Sequence, residues 1–346
     1  NKYDDIKKII MEINNYIKFY LNKLMDIDVN KLYDYYNKKY NNIYQFSGKE
    51  DPIDLVQELS VNMLNYSEEN YYNGDKIILE KDLNNLRSLI ESLNFDNINT
   101  LYYYHKDLNT KNKMFDQYYK ANYAELNESL YNDQSKEFKV EFILDNPYFD
   151  LNPKIIKDLD EFMVPRLISP NIWYGGISKY NEYDVYGKLI FSSNKLFNSI
   201  ENYVYLSISI TVLNYYLQLK FNDISELHFN TYFSINDTYK NISLNIDGLN
   251  DKYNLFFNDI FDYLKQIKSE VENNIIVNII HNYIKNLKQI DRLAPSFYFN
   301  YVIMEQLSKE INHSTILETI EKLIKDEKTF IENVKRKINE VIVFND

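Results

Sequence analysis

The sequence has 346 residues, of which 45% are hydrophobic and 26% charged, with a net charge of −12 and no cysteine. These values are typical of a globular protein with about two domains, and they exclude a low-complexity chain. Phosphate groups repel an acidic surface, so no nucleic-acid partner is expected. The lack of cysteine excludes disulfides, thiolate metal sites and thiol nucleophiles.

Membrane insertion is not expected either. The most apolar stretch runs from Tyr203 to Leu219 and contains Asn214. It is shorter than the ~20 residues that a membrane-spanning helix needs. We interpret it as a buried helix. No signal peptide opens the sequence, and together with the lack of cysteine this favours an intracellular protein.

Helical patterns dominate the first part of the chain. Apolar residues recur at three- and four-residue steps over residues 6–24, which predicts an amphipathic helix. Asp28 is a suitable N-cap for a second helix, and Asp51 followed by Pro52 indicates the start of a third. A further helix is predicted at 81–93 and a short strand at 99–105. The first predicted unit is therefore mainly helical.

The middle of the sequence has a different character. Residues 136–170 contain four of the six prolines, and a residue that precedes proline is biased towards an extended backbone. This stretch also carries apolar residues such as Phe142 and Phe149, which favours an extended linker laid against a surface. We accordingly predict a partial, mainly helical domain at 1–135, a linker at 136–170 and a second domain at 171–346.

The second domain is predicted to be α+β. Its expected elements begin with two strands at 172–174 and 187–192, a long helix at 198–219 and a hairpin at 227–246. A set of helices at 252–337 and a final buried strand at 341–344 are expected to follow. The residues from Gly248 to Asp251 are predicted to close the hairpin and to cap the next helix. This order predicts an antiparallel sheet with helices packed on one face, and not the alternating strands and helices of a nucleotide-binding fold.

The motifs that mark common catalytic centres are missing from the sequence. There is no glycine-rich phosphate-binding loop and no Gly-x-Ser-x-Gly nucleophile motif. Four histidines are present, and no two of them lie within four residues of each other: His105, His228, His281 and His313. Neither H-E-x-x-H nor H-x-x-E-H therefore occurs, although helical metal sites depend on such spacing.

Two weaker patterns also fail to indicate a metal site. Glu310 and His313 stand three residues apart, but a di-metal site needs a second such pair, so we interpret them as an exposed helix end. Glu226 and His228 share one face of a predicted strand, and we do not interpret this pair as a metal site. We predict that the chain contains no catalytic, cofactor-binding or metal-binding residue.

Several short segments resemble landmarks of the insulin-degrading enzyme and pitrilysin family of zinc metallopeptidases. The segment 247–252, Asp-Gly-Leu-Asn-Asp-Lys, is similar to the Gly-x-Asn-Asp-Lys of that family's third domain, and Ile172-Trp173-Tyr174 is similar to the strand that opens it. Asn146-Pro147-Tyr148 resembles the preceding linker. Residues 118–123 and 59–72 resemble parts of the second domain. The landmarks come in the family's order and at about its spacing.

The resemblance implies an internal fragment of a longer peptidase. Residues 1–135 would be the later part of the second insulinase-like domain, and those from about 171 the third. The zinc motif H-x-x-E-H of the family lies in its first domain, so zinc is expected in a missing N-terminal part of the parent. The expected partners are the rest of the parent polypeptide and peptide substrates, and this portion is expected to form part of a chamber wall.

One segment departs from the family pattern. Residues 229–233, Phe-Asn-Thr-Tyr-Phe, stand where the family has Ala-Gly-Leu-x-Tyr, which argues against close backbone packing there. The aromatic residues of 227–246 are interpreted mainly as core. Two other interpretations stay open: a catalytically dead paralogue that acts as a peptide-binding scaffold or partner subunit, and an unrelated helical interaction protein.

Overall fold

The computed structural model describes residues 2–48, 50–93, 114–123, 138, 140–155, 165–175, 183–192, 197–236, 240–308 and 311–343. The chain forms two compact units. The first comprises Asn1–Tyr44 with Lys49–Phe149, and the second comprises Gln45–Gly48 with Asp150–Asp346. The domain bounds inferred from the sequence stay a prediction.

The described part of the first unit contains helices and one small hairpin. Its elements are α1 (Lys2–Met25), α2 (Val29–Phe46), α3 (Pro52–Asn65), α4 (Leu83–Ser92), and the antiparallel strands β1 (Met114–Asp116) and β2 (Ala121–Tyr123). The side chain of Asp28 accepts a hydrogen bond from the Asn30 N–H at 3.0 Å. Asp51 accepts one from the Ile53 N–H at 2.8 Å, with Pro52 as the first helical residue. Both predicted N-caps are confirmed, whereas the predicted strand at 99–105 lies outside the described residues.

The second unit combines short strands with long helices. Its strands are β3 (Arg166–Ser169), β4 (Ile172–Tyr174), β5 (Asp184–Ser192), β6 (Asn230–Asn236) and β7 (Asn241–Leu249). Its helices are α5 (Ile200–Ser225), α6 (Tyr253–Glu270), α7 (Asn273–Gln289), α8 (Pro295–Ser308), α9 (His313–Leu323) and α10 (Glu327–Ile342). β3 pairs with β4, and a separate antiparallel sheet has the strand order β5–β7–β6. The α+β prediction and the predicted hairpin are confirmed.

Helix α5 forms the centre of the second unit. Residues 203–210 are all buried, because β6 covers one side of the helix while α7, α9 and α10 cover others. A helix that is apolar on every side must be enclosed in this way. The buried Ser209 hydroxyl donates to the Tyr205 carbonyl at 2.7 Å and also lies 3.0 Å from the Val334 carbonyl of α10. The prediction of a buried helix is confirmed, and none of the helices in the described ranges combines the length and apolar character that a membrane crossing needs.

The predicted strand at 341–344 is wrong. Helix α10 continues through Ile342, and Val334, Ile338, Val341 and Ile342 are all at most 6% exposed. Their spacing of four, three and one residues places them on one helical face. The β-branched cluster that indicated a strand is therefore the last turn of a packed helix, and Phe344 lies outside the described residues.

Candidate functional site

The histidines are dispersed where the structure describes them. His228 follows α5, His281 is exposed on α7, and His313 begins α9 with its ring 5.5 Å from that of Tyr301. His105 and Glu310 lie outside the described residues. Within the described ranges, no group of three or more histidine or acidic residues is placed to hold a metal ion.

His228 lies beside an acidic residue of the sheet. Its Nδ1 lies 3.2 Å from Oδ1 of Asp184, the first residue of β5. The hydrogen bond to Asp184 raises the pKa of His228, partial burial lowers it, and the negative charge of Asp184 raises it again, with a net increase. His228 also has a left-handed backbone, with φ of 66°. The residue therefore joins the end of α5 to the sheet.

A carboxyl group and a phenol lie close to this ion pair. Burial and the charge of Asp184 raise the pKa of Asp247 on β7. Burial and the charge of Asp247 raise the pKa of Tyr253, whose hydroxyl donates to the Ile246 carbonyl at 3.1 Å. The cluster of Asp184, His228, Asp247 and Tyr253 thus lies at the junction of β5, β7 and α6.

Gly248 of the family-like segment packs directly against an aromatic ring. A Cβ atom at this position would lie 2.6 Å from Cδ1 of Phe229. The Phe229 ring is fully buried and lies 5.3 Å from the ring of Phe256 on α6. The close approach at Phe229 is made by its side-chain ring, and the glycine that allows it lies on the neighbouring strand β7.

Asn250 and Asp251 hold the end of the linker. The Asp251 carboxylate accepts the Asn152 N–H at 2.7 Å. The Asn250 side chain accepts the Lys154 N–H at 3.2 Å and donates to the Lys154 carbonyl at 2.6 Å. The N-cap of α6 is Lys252 and has no side-chain cap, so the prediction that residues 248–251 cap this helix is wrong. We call this set of three hydrogen bonds the Asn250–Asp251 clasp.

The Asn-Pro-Tyr segment forms a second anchor, within the first unit. The Asn146 side chain accepts the Tyr148 N–H at 3.0 Å, which folds the segment into a short turn. Tyr148 and Phe149 are both buried. The Phe149 ring lies 4.9 Å from that of Tyr35, and its carbonyl accepts a hydrogen bond from the Asn42 side chain at 2.7 Å. The linker is thus bound closely at this end.

A groove between α5 and β6 offers polar binding groups in the second unit. Its volume is about 360 Å³, at the lower end of the range for ligand pockets. We call it the α5–β6 groove, and its lining residues are Asn214, Leu217, Gln218, Phe221, Asn222, Ser225, Phe229, Asn230, Thr231 and Tyr232. The interpretation of the aromatic residues as core holds for Phe229 and Phe233, whereas Tyr232 is 48% exposed. No motif marked the groove, and the polar positions 214, 218 and 222 of α5 were its only sequence signal.

The fold defines an α+β protein of the insulinase type, and comparison with known proteins agrees. The family model described as "Middle or third domain of peptidase_M16" matches residues 44–318. Because this match spans most of the sequence, the chain belongs to the peptidase M16 family.

The chain is similar to the crystal structure of pitrilysin, with a TM-score of 0.58 and 14% sequence identity. The alignment covers 96% of this chain and 39% of the pitrilysin chain, so this chain spans well under half of that length. No curated protein matches the chain.

The described residues do not fit the zinc ion that the family resemblance implies. His228 is engaged with Asp184, whereas His281 lies on α7 and His313 begins α9. Among the residues that the structure describes, no group of three or more histidine or acidic residues could hold a metal ion. No zinc-dependent step is therefore assigned to these residues.

Proposed function

We propose that this chain is the non-catalytic middle portion of an insulinase-like zinc metalloendopeptidase and forms part of the wall of a peptide-degrading chamber. The observation that carries the proposal is the family match over residues 44–318. The similarity to 39% of the pitrilysin chain supports a parent polypeptide with further domains. Those domains are the chain's first partners in this proposal.

The contribution of a wall is confinement and positioning of the substrate. A substrate held close to a reactive centre reacts faster because the entropy of bringing them together is already lost. In this proposal the zinc ion belongs to the N-terminal part of the parent, where it would supply the water that attacks the amide. The residues of this chain bind and orient the peptide.

Parallel measurements on the 346-residue chain and on the full-length parent test this proposal. Zinc content and cleavage of an unfolded peptide are measured for both proteins under the same conditions. We expect stoichiometric zinc and cleavage only in the full-length protein. The matched control is the full-length protein with the histidines of its H-x-x-E-H motif replaced by alanine, which should retain its fold and lose both properties.

Two outcomes would contradict the proposal in different ways. A full-length protein without zinc and without cleavage would indicate a catalytically dead paralogue that serves as a scaffold or partner subunit. Stoichiometric zinc in the 346-residue chain would place a metal site among residues to which we assign none.

A further inference from the structure

Strand β6 is an edge of its sheet, since the strand order is β5–β7–β6. In an antiparallel pair, alternate residues direct their backbone N–H and C=O groups away from the partner strand. Phe233 is one such residue, because both of its backbone groups bind the Asn214 side chain instead of β7. Thr231, two residues earlier, has the same orientation and faces the α5–β6 groove.

The contact between Asn214 and Phe233 shows how this edge is recognised. The Asn214 carboxamide accepts the Phe233 N–H at 2.7 Å and donates to the Phe233 carbonyl at 2.9 Å. A side-chain amide thereby takes the place that the backbone of an added strand would occupy. Asn214 therefore occupies the backbone groups of the β6 edge at Phe233. Among the described residues, no side chain binds the backbone groups of this edge at Thr231 in the same way.

Further groups in the groove lack hydrogen-bond partners. The side chains of Gln218 and Asn222 follow Asn214 at four-residue intervals and so lie on the same face of α5. Both carboxamides are exposed and have no hydrogen-bond partner within the described parts of the chain, and the Thr231 hydroxyl is buried without a partner there. A buried hydroxyl without a partner is costly, so such a group indicates a site that a ligand or water completes.

The lining of the groove also defines the chemistry of its ligand. None of the ten lining residues is charged, although 26% of the chain is. The floor is apolar, since Leu217, Phe221 and Phe229 are at most 7% exposed. Uncharged donors and acceptors above an apolar floor suit a peptide backbone, and they offer no counter-charge to a phosphate or a metal ion.

We infer that the α5–β6 groove binds a peptide segment in extended conformation, which adds to the edge of β6 at Thr231 and contacts the carboxamides of Gln218 and Asn222. The groove recognises the backbone of the peptide and does not select for charged side chains. The choice of a peptide as the ligand rests on the proposed function. The groove would be the place in this chain where a confined peptide is held.

Binding is measured by fluorescence anisotropy with the 346-residue chain. The probe is a labelled, terminally blocked peptide of alternating threonine and valine, and the comparison peptide has the same sequence with alternate backbone nitrogens methylated. Methylation preserves the side chains and removes the N–H groups that strand addition needs. We expect saturable binding of the first peptide below about 1 mM, insensitive to salt, and at least about tenfold weaker binding of the second.

A matched pair of variants at Thr231 isolates the backbone N–H. Thr231→Pro removes an N–H that does not bond to β7, and proline is tolerated at such edge positions. Thr231→Val keeps the N–H and the side-chain shape but loses the hydroxyl. We expect Thr231→Pro to bind the peptide at least about tenfold more weakly than Thr231→Val, because the backbone pairing is lost.

A second pair of variants tests the carboxamides without touching the sheet. Gln218→Ala with Asn222→Ala replaces two exposed residues of the groove, and the control double variant, Asn282→Ala with Gln289→Ala, replaces two exposed carboxamides of α7. We expect about fivefold weaker peptide binding for the first double variant and no change for the control.

Three results would overturn the inference: no binding of the unmethylated peptide, equal binding of the methylated peptide, or equal affinities for the two Thr231 variants with native circular dichroism. If Thr231→Pro fails to fold, the methylated peptide decides the question. Peptide binding without zinc or cleavage in the full-length protein would contradict the proposed function alone. Zinc-dependent cleavage without binding to the groove would contradict this inference alone.

Discussion

At the scale of single residues, Gly248 shows how one missing side chain permits a packed core. No glycine in the described residues has a positive φ, so the requirement at Gly248 is steric and not conformational. Its Cα lies under the Phe229 ring, where a Cβ would approach Cδ1 to 2.6 Å and Cε1 to 2.9 Å. The ring is fully buried and cannot move away freely.

We predict that Gly248→Ala lowers the free energy of unfolding by about 1–3 kcal/mol, as overpacking a core does. Urea unfolding followed by circular dichroism measures the change. Gly48→Ala is the matched control, since no atom lies within 4 Å of a Cβ at that position. Adding Phe229→Leu to Gly248→Ala should restore part of the lost free energy of unfolding. If the effects of the two substitutions on this free energy simply add, the two residues do not interact.

The ion pair of His228 and Asp184 predicts a dependence of stability on pH. The folded-state pKa of His228 is raised, so its contribution is fully present below the unfolded value of about 6.5 and is lost as the pH rises through the folded-state pKa. Asn tolerates the left-handed backbone of residue 228, which makes His228→Asn the appropriate variant. The loss on mutation should be greater at pH 6 than at pH 8.5, and at most about 1 kcal/mol because the side chain is one-third exposed.

Thermal unfolding of the wild type and of His228→Asn across this pH range measures the difference. His281→Asn replaces an exposed imidazole on α7 and controls for the general effect of losing a histidine. A difference that is independent of pH, or that grows towards high pH, would show that the protonated ion pair does not contribute.

At the scale of elements, the Asn250–Asp251 clasp explains why a polar segment follows β7. Its hydrogen bonds join residues 96 and 99 positions apart in the sequence. The two side chains bind different amides, because Asp251 accepts from Asn152 and Asn250 accepts from Lys154. The clasp therefore fixes the linker at two separate points.

We predict that Asn250→Ala increases amide hydrogen exchange most at Lys154, and that Asp251→Ala increases it most at Asn152. Each effect should be about five- to tenfold, which corresponds to the loss of about one hydrogen bond. Hydrogen exchange measured by NMR or mass spectrometry resolves the two sites. Asn254→Ala, at an exposed position in the first turn of α6, should leave both amides unchanged. Equal exchange at both amides in both variants would indicate that the segment is held by other contacts.

Sequence patterns identified the elements well where the signal is local. The N-caps of Asp28 and Asp51 follow from side chains that bond to residues two positions away. The β6–β7 hairpin follows from two alternating runs joined by polar residues. The sequence wrongly predicts a strand at the end of α10 because β-branched residues favour strands in isolation. In the structure these residues are helical, since the helix buries one of its faces there.

At the scale of the whole molecule, the second unit has a core of its own. Apart from Phe46, its buried residues lie between Tyr203 and Ile342 and pack between α5, the β5–β7–β6 sheet and the helices that follow. A compact unit with its own core can fold alone. The segment 150–346 also retains both halves of the Asn250–Asp251 clasp.

We predict that residues 150–346, expressed alone, unfold in one cooperative thermal transition. Circular dichroism should report the melting curve, and NMR should show dispersed amide resonances. The same segment with Phe256→Ala, which empties a fully buried site of α6, serves as a destabilised control and should melt at a lower temperature. A compact state that binds a hydrophobic dye and lacks a cooperative transition would contradict the prediction.

The sequence by itself determined the fold class, the order of most elements, the burial of α5 and the resemblance to the insulinase-like peptidases. These features depend on apolar periodicity, capping residues and short landmarks. Each of these signals extends over only a few residues, so it can be recognised in the sequence itself. Only the tertiary structure decided the partners of Asn214, Asn250 and Gly248, and with them the open edge at Thr231. A side-chain amide can bond to any backbone group that comes within reach, so its partner is fixed by which distant segments the fold brings together.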